Sequence, residues 1–159
     1  MIAEGHLDQT LLLLEHPHTY TLGRSGSLDN LIWSGAEMKE KGITFVEVDR
    51  GGDITYHGPG QLVGYPLMRL APIGWHGDRL PQVDYVGYIR QLEQVLICTL
   101  SEFEIDSFRV NGKTGVWVGT ETLPQKIASI GVKVDARGIS RHGFALNVAP
   151  QMEYWQGIV

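Results

Sequence analysis

One segment of the chain, residues 85–103, carries a convincing helical period, and the other apolar runs are short enough to be strands. At about 100° per residue, a single apolar stripe follows this segment, so the helix should pack one face on a sheet. The stripe consists of Ile89, Leu92, Val95, Leu96, Thr99, Leu100 and Phe103. Strand-like runs lie on both sides of the helix without regular strand–helix alternation. The pattern therefore predicts an α+β fold with a largely antiparallel or mixed sheet.

The predicted strands are separated by clusters of Gly, Pro, Asp and Ser. They cover residues 11–14, 19–22, 44–49, 54–56, 61–66, 115–119, 126–134 and 141–148. We interpret the first as a buried strand, because its four leucines are too few for a buried helix and soon meet Pro17. Residues 135–138 should join the last two strands as a hairpin. A short helix is expected over residues 36–41 and a loop over residues 72–81.

Composition places the chain among globular domains. With 159 residues, 43% of them apolar, and a formal charge of −5, it can build one core, and we expect one domain over residues 1–159. The apolar runs fall well short of the roughly 20 residues of a membrane span, and the N-terminus lacks the layout of a secretion signal. A cytoplasmic protein without a membrane partner is expected. The acidic balance argues against nucleic acid as a partner, because phosphate binding needs clustered Lys and Arg.

The single cysteine, Cys98, excludes an intrachain disulfide and a thiolate-based zinc site. It falls opposite the apolar stripe without a basic neighbour to lower its pKa, which indicates an incidental surface thiol. His16 and His18 flank Pro17 at a spacing that suits a metal. No third ligand follows at a telling distance, so no metal is predicted.

Residues 50–61, RGGDITYHGPGQ, combine four glycines with several polar side chains. The adjacent Gly51 and Gly52 let the backbone bend sharply or approach a ligand closely, and Arg50 adds a fixed charge. The other hydrogen-bonding side chains here include Thr55, Tyr56 and His57. Two interpretations stay open: a ligand-binding wall, and a pair of turns with polar surface residues. Neither GxxxxGK[ST] nor GxGxxG is present, so a phosphate loop of those types is excluded.

Two further side chains are candidates for chemistry. In simple strand alternation Lys126 shares a face with Ala128 and Ile130. If that face is the core, the lysine at its rim loses hydration, which lowers its pKa toward that of a general base; the alternative is a surface lysine. His142 shares a face with Phe144 and is either a satisfied rim histidine or a pocket residue.

Five motifs, in this order, resemble the lipoyl(octanoyl) transferase family. They are LLLLEHPHTYTLGR, DRGGDITYHGPGQLVGYP, GVWVG, KIASIGVKV and HGFALNV. They extend across nearly all of the chain and are long enough to be specific. That family is similar in fold to the biotin and lipoate protein ligases, so the resemblance implies an α+β domain with a mixed, mainly antiparallel sheet flanked by helices.

The resemblance also implies a reaction: transfer of an octanoyl or lipoyl group from acyl carrier protein to a lysine of a lipoyl domain. Such domains occur in the 2-oxoacid dehydrogenase complexes and the glycine cleavage H protein. A cysteine thiolate takes the acyl group as a thioester and the lysine converts it into an amide, so neither ATP nor a cofactor is required. Lys126 matches the family's catalytic lysine, which activates the cysteine. The substrate-binding segments match Arg50, Gly51, Gly52, Asp53, Ile54, Thr55, Tyr56 and His57, then Ser129, Ile130 and Gly131, and then Gly143, Phe144 and Ala145; His142 is a possible pocket residue.

The family carries its nucleophile in a Pro-Cys-Gly motif shortly after HGFALN, which would lie just beyond Val159. We therefore expect a domain shortened at both ends. Two other functions stay open. One is an ATP-dependent lipoate or biotin protein ligase, which needs no such cysteine. The other is a non-catalytic fragment that binds the carrier protein or the lipoyl domain.

Overall fold

Eight strands and two α-helices form the regular elements of the computed structural model, which describes residues 2, 4–72, 75 and 83–159. The strands are β1 Thr10–Leu14, β2 Thr19–Leu22, β3 Thr44–Glu47, β4 Ile54–His57, β5 Gln61–Leu67, β6 Val116–Thr120, β7 Leu123–Val134 and β8 Ser140–Asn147. The helices are α1 Gly35–Glu40 and α2 Tyr85–Glu102, with short 3₁₀ helices at Leu28–Asn30 and Met152–Gly157. Each predicted strand and helix is present. Most of the predicted loop at residues 72–81 lies outside the described residues.

The larger sheet has five strands in the order β1-β5-β8-β7-β6, and all its neighbours are antiparallel. The predicted hairpin between β7 and β8 is present, with the Asp135 N–H donating to the Ile139 carbonyl at 3.0 Å. Gly138 closes this turn at a φ of +74°. A Cβ there would lie 2.2 Å from the Cβ of Ala71, so glycine is needed for both its conformation and its size.

The smaller sheet has the order β3-β2-β4. Strand β2 pairs parallel with β3 and antiparallel with β4. With one parallel pair among otherwise antiparallel neighbours, the predicted α+β class with mainly antiparallel sheets is confirmed. No helix in the described part of the chain is long and apolar enough to span a membrane.

Helix α2 covers one face of the larger sheet. Asp84 caps its N-terminus by accepting the Gly87 N–H at 2.7 Å. Its Leu96 and Leu100 pack in a core with Val116 and Ala128 of the sheet. The predicted stripe is wrong at its edge, since Val95 and Phe103 are 59% and 72% exposed. The buried face is instead made of Tyr88, Leu92, Glu93, Leu96 and Leu100. A buried Glu93 is tolerated because ionic and backbone partners surround its carboxylate.

The prediction that the first strand is buried is also wrong. Strand β1 lies at the edge of the larger sheet and pairs only with β5 in the described structure. Leu11, Leu12 and Leu13 are about half exposed as a result. A short apolar run indicates a strand, but it does not distinguish an edge position from a central one.

A second core lies beside the smaller sheet and is largely aromatic. Tyr20 and Tyr56 are fully buried and pack with Ile54 and Ile158. Tyr154 from the last 3₁₀ helix stacks on Tyr56 with ring centroids 5.4 Å apart. The hydroxyl of Tyr20 donates to the Tyr154 carbonyl. These contacts hold the C-terminal segment against the smaller sheet.

The observed face of α2 yields a stability prediction from two neighbouring residues. Leu96→Ala removes a side chain that is 3% exposed, so it should lower the free energy of unfolding by about 2–5 kcal/mol through lost burial and a cavity. Val95→Ala is the matched control and should change it by less than about 0.5 kcal/mol. Urea unfolding followed by circular dichroism measures both values. Equal losses in the two variants would show that α2 packs on the stripe predicted from the sequence.

Candidate active site

A cavity of about 970 Å³ lies between the two sheets. The larger sheet contributes the face that it turns away from α2, including Val63 and Tyr65 of β5. The smaller sheet contributes Thr21, Val46 and Thr55, and Trp155 of the C-terminal segment lines another side. The volume lies in the range of small-molecule sites in proteins, and the walls are mostly apolar with a few polar groups, as such sites require.

The floor of the cavity is formed by small residues on two paired strands. Ser129 of β7 lies opposite Ala145 of β8, and Gly131 lies opposite Gly143. A Cβ on Gly143 would lie 2.1 Å from the Gly64 carbonyl oxygen, so that strand cannot carry a larger residue there. Residues 129–131 and residues 143–145 thus meet side by side through the β7–β8 register.

Arg50 is a buried cation in the wall of this cavity. Its Nη2 donates to the carbonyl and the hydroxyl of Thr21, at 2.7 and 2.9 Å, and its Nη1 donates to the Gly51 carbonyl at 3.0 Å. Among the described residues no carboxylate lies within ion-pair distance of it. Burial lowers the pKa of Arg50, but a guanidinium keeps its proton at neutral pH. The Asp53 carboxylate, which also lines the cavity, offsets part of this positive charge at longer range.

His57 stands at the end of β4, where the glycine-rich segment turns. Its Nδ1 lies 3.3 Å from Oε1 of the buried Gln61. The pKa of His57 is lowered to about 4, chiefly by desolvation. The bond to Gln61 raises this pKa, whereas His16, Arg50 and His142 help to lower it. His57 is therefore neutral at pH 7 and carries one donor and one acceptor nitrogen.

A β-bulge redirects Lys126. Val116 lies opposite Ala128, whereas Trp117 lies opposite Lys126, so Ile127 is an extra residue on β7. Val116 and Trp117 are adjacent on β6 and therefore point to opposite faces of the sheet. Lys126 lies opposite Trp117, so its side chain points to the same face as that of Trp117. The prediction that Lys126 shares the face of Ala128 is therefore wrong. The bulge turns it away from the α2 core.

On this face Lys126 lines the cavity. Its Nζ lies 5.0 Å from the centroid of the Trp117 ring, within reach of a cation–π interaction. The residue as a whole is still exposed, but lost hydration at the cavity and the nearby Lys113 charge lower its pKa. A lower pKa raises the fraction of neutral amine, the form that accepts a proton.

His142 of β8 lines the cavity, the place that the pocket interpretation gives it. Its φ of +58° is unusual for a non-glycine residue, and its Nε2 lies 2.7 Å from Oδ1 of Asp49 beyond β3. Lys133 and Arg141 each lie 3.0 Å from the other oxygen of that carboxylate. The hydrogen bond to His142 has the largest effect, and together with Lys133 and Arg141 it holds the pKa of Asp49 well below its usual range. The cluster lies at the rim of the cavity.

The structure brings together all the predicted site residues but one. The residues that line the cavity are Arg50, Gly51, Gly52, Asp53, Ile54, Thr55, His57, Lys126, Ser129, Ile130, Gly131, His142, Gly143, Phe144 and Ala145. Tyr56 does not line it, because strand alternation turns this side chain into the aromatic core, where its hydroxyl contacts His18 Nδ1 at 2.9 Å. Gln61 and Asn147 are polar residues inside the motifs RGGDITYHGPGQ and HGFALNV, and no local pattern distinguishes them there.

The remaining candidates lie apart from one another. His16 Nε2 contacts the Tyr65 hydroxyl at 2.6 Å, so His16 and His18 are each engaged by a different tyrosine. Cys98 is exposed on α2 and lies 3.2 Å from the Gln94 amide nitrogen. His16 lines the cavity, whereas His18 and Cys98 are not among its lining residues.

Comparison with known proteins gives consistent results. The family model described as the lipoyl protein ligase A/B catalytic domain matches residues 1–159. An octanoyltransferase of Flavobacterium psychrophilum is 44% identical over 160 residues, covering 98% of this chain and 65% of that protein. An octanoyltransferase of Solibacter usitatus is 48% identical over 157 residues, again covering 98% and 65%. The chain thus spans just under two thirds of the length of these relatives.

Solved structures share the fold. A bipartite lipoate protein ligase from Thermoplasma acidophilum superimposes with a TM-score of 0.74 at 16% identity, covering 96% of this chain and 54% of that one. A second lipoate protein ligase structure from that organism, with bound lipoic acid, gives 0.73 at 17% identity over 96% and 60%. The predicted similarity to the lipoate protein ligase fold is confirmed.

The environment of His57 yields a pH prediction. Because folding depresses its pKa from 6.5 to about 4, its contribution to stability is complete above pH 6.5 and is lost as the pH falls toward 4. Replacing His57 with Gln removes this titration. The difference in unfolding free energy between parent and variant should therefore change by up to about 3 kcal/mol between pH 7 and pH 4. Urea titrations at several pH values measure it, and a constant difference would contradict the prediction.

Proposed function

Because this chain belongs to the lipoyl protein ligase A/B catalytic domain family, we propose that it forms the acyl-binding part of an octanoyltransferase. The reaction moves an octanoyl group from the thioester of acyl carrier protein to a lysine of a lipoyl domain. One observation carries the proposal: the cavity places Lys126, whose pKa is lowered, together with the Arg50 cation and small-residue walls suited to a slender acyl chain. The curated relatives named octanoyltransferase support it.

The chemistry requires two acyl transfers. A cysteine thiolate attacks the carrier thioester, the carbon–sulfur bond to the carrier breaks, and the carrier leaves as a thiol. The lysine amine of the lipoyl domain then attacks the enzyme thioester, forms the amide and releases the cysteine. We expect that cysteine just after Val159, as the family resemblance implies. Lys126 takes the thiol proton in the first step, and the Arg50 charge stabilises the negative oxygen that develops in each.

The partners proposed are octanoyl-acyl carrier protein as donor, and lipoyl domains of the 2-oxoacid dehydrogenase complexes and the glycine cleavage H protein as acceptors. A cytoplasmic location is part of the same proposal. No cofactor is required, because the thioester bond supplies the free energy of amide formation.

An acyl-transfer assay tests this function directly. The chain, extended past Val159 with the corresponding segment of the Solibacter usitatus relative, should transfer octanoyl from the carrier protein to a lipoyl domain without ATP. Intact-protein mass spectrometry measures the octanoylated domain. Transfer from free octanoate only in the presence of ATP, with release of pyrophosphate, would instead establish a ligase.

The role of Lys126 yields a separate prediction for the extended protein. Lys126→Arg keeps the charge but cannot accept a proton, so enzyme acylation should slow by about 10²- to 10⁴-fold. The deficit should shrink as the pH rises toward about 8.5, where the thiol ionises without help. Lys113→Arg is the matched control and should stay within about threefold of the parent, well below general-base effects. Rapid-quench measurement of octanoyl-thioester formation decides it, and a similar rate in both variants would remove Lys126 from the reaction.

A further inference from the structure

A chain of hydrogen bonds connects His57 with the backbone of Lys126. His57 Nδ1 lies 3.3 Å from Gln61 Oε1, and Gln61 Nε2 donates to Asn147 Oδ1 at 2.9 Å. Asn147 Nδ2 in turn donates to the Lys126 carbonyl at 3.4 Å. Gln61 is 1% exposed, and it lies opposite Asn147 in the β5–β8 register. The chain therefore crosses three strands of the larger sheet, from the buried Gln61 to the exposed Lys126.

The direction of every bond in this chain follows from its last member. A backbone carbonyl can only accept, so the amide nitrogen of Asn147 must face Lys126 and its oxygen must face Gln61. That oxygen also only accepts, so the nitrogen of Gln61 faces Asn147 and its oxygen faces His57. An oxygen at that point requires a proton on His57 Nδ1. A flipped Gln61 or Asn147 would place two acceptors or two donors against each other.

We propose that Gln61 and Asn147 are positioning residues that hold His57 in its Nδ1–H tautomer, so that Nε2 presents a lone pair to the cavity and accepts a hydrogen bond from the incoming lysine amine. The identity of that donor rests on the function proposed above, whereas the tautomer does not. The attacking amine has N–H groups to donate while its own lone pair approaches the thioester carbon. An acceptor beside it orients that attack.

The surroundings of His57 suit an acceptor rather than a base. Arg50, His16 and His142 are the charged or titratable groups that act on it, and each opposes a second proton on the ring. With its pKa lowered to about 4, the ring stays neutral throughout the working range of an enzyme at neutral pH. Its Nε2 has no protein partner among the described residues, and His57 lines the cavity.

Nitrogen NMR of the full 159-residue chain, labelled with ¹⁵N and recorded at pH 7, tests the tautomer. In the Nδ1–H form, Nδ1 has a pyrrole-type chemical shift and Nε2 a pyridine-type shift; in the other tautomer the two are exchanged. We expect the Nδ1–H pattern for His57. The reverse pattern in the parent protein would overturn the proposal without any variant.

Variants separate the relay from simple packing. Gln61→Met keeps the length of the side chain but removes the acceptor, so the His57 ring should shift toward the Nε2–H tautomer. Gln61→Glu keeps an oxygen opposite Nδ1, so Nδ1 should stay protonated in this variant; a role in packing alone would move neither spectrum. Asn147→Leu removes the partner that fixes the Gln61 amide, so both tautomers of His57 should be populated. This variant provides the test if Gln61→Met fails to fold. Tyr65→Phe, which removes the hydroxyl partner of His16, is the matched control and should leave the His57 shifts unchanged.

A kinetic arm tests the use of Nε2 in the extended protein. With the octanoyl-enzyme already formed, Gln61→Met, which leaves the Asn147–Lys126 bond in place, should lower kcat for transfer to the lipoyl domain by about tenfold, the order expected for one lost hydrogen bond in the transition state. Acylation of the enzyme should change by less than about twofold, because that step has no incoming amine. Equal slowing of both steps would contradict the role toward the amine. A parent that transfers nothing would refute the proposed function while the NMR result still decides the tautomer.

Discussion

The cavity depends on one close backbone contact between the two sheets. The Gly51 N–H donates to the Val132 carbonyl at 3.1 Å, which ties the glycine-rich segment to β7. A Cβ on Gly131 would lie 3.0 Å from the Gly51 carbonyl oxygen and 3.2 Å from Cδ of Arg50, so a larger residue on β7 would have to push the glycine-rich segment back. Gly51 and Gly131 both line the cavity, so this contact lies at its wall. The contact also carries Arg50 into a buried position, where Thr21 supplies the hydrogen bonds that water would otherwise make.

Small residues on the facing strands extend the same constraint. Gly143 stands directly opposite Gly131 in the register, and its own clearance to Gly64 leaves no room for a side chain. The result is a flat floor of backbone atoms beside polar groups fixed by hydrogen bonds. A slender acyl chain matches such a slot, since methylene groups need contact area but no partners. A shape built from three strands is also rigid, which preorganises the reacting groups.

Much of the fold could be predicted from the sequence, because strand alternation and one helical period are local patterns. The segments of the site could also be identified, since they form long motifs. Positions that depend on a neighbouring strand could not. The bulge at Ile127 moves the Lys126 side chain to the opposite face of the sheet, and the local sequence of β7 does not predict this bulge. In the same way, the exposed Leu12 of β1 reflects an edge position that is set by strand order, and Tyr56 turns into a core that a strand fragment alone does not reveal.

Glu93 is a charged residue on the buried face of α2, so an apolar stripe does not describe that face. Through its partners Glu93 also connects α2 with the site. Its Oε2 accepts from Arg90 at 2.7 Å and from Arg109 at 3.0 Å, and its Oε1 accepts the Gly115 N–H at 3.0 Å. Desolvation raises the pKa of Glu93, but the Gly115 bond and the two guanidinium groups outweigh it and hold the pKa below its usual value. An acidic residue on an apolar face therefore stays charged and buried. Gly115 in turn abuts the Lys126 side chain, since a Cβ at Gly115 would lie 3.4 Å from Cε of Lys126. The carboxylate that breaks the hydrophobic pattern of α2 thus fixes the strand start against which the cavity lysine rests.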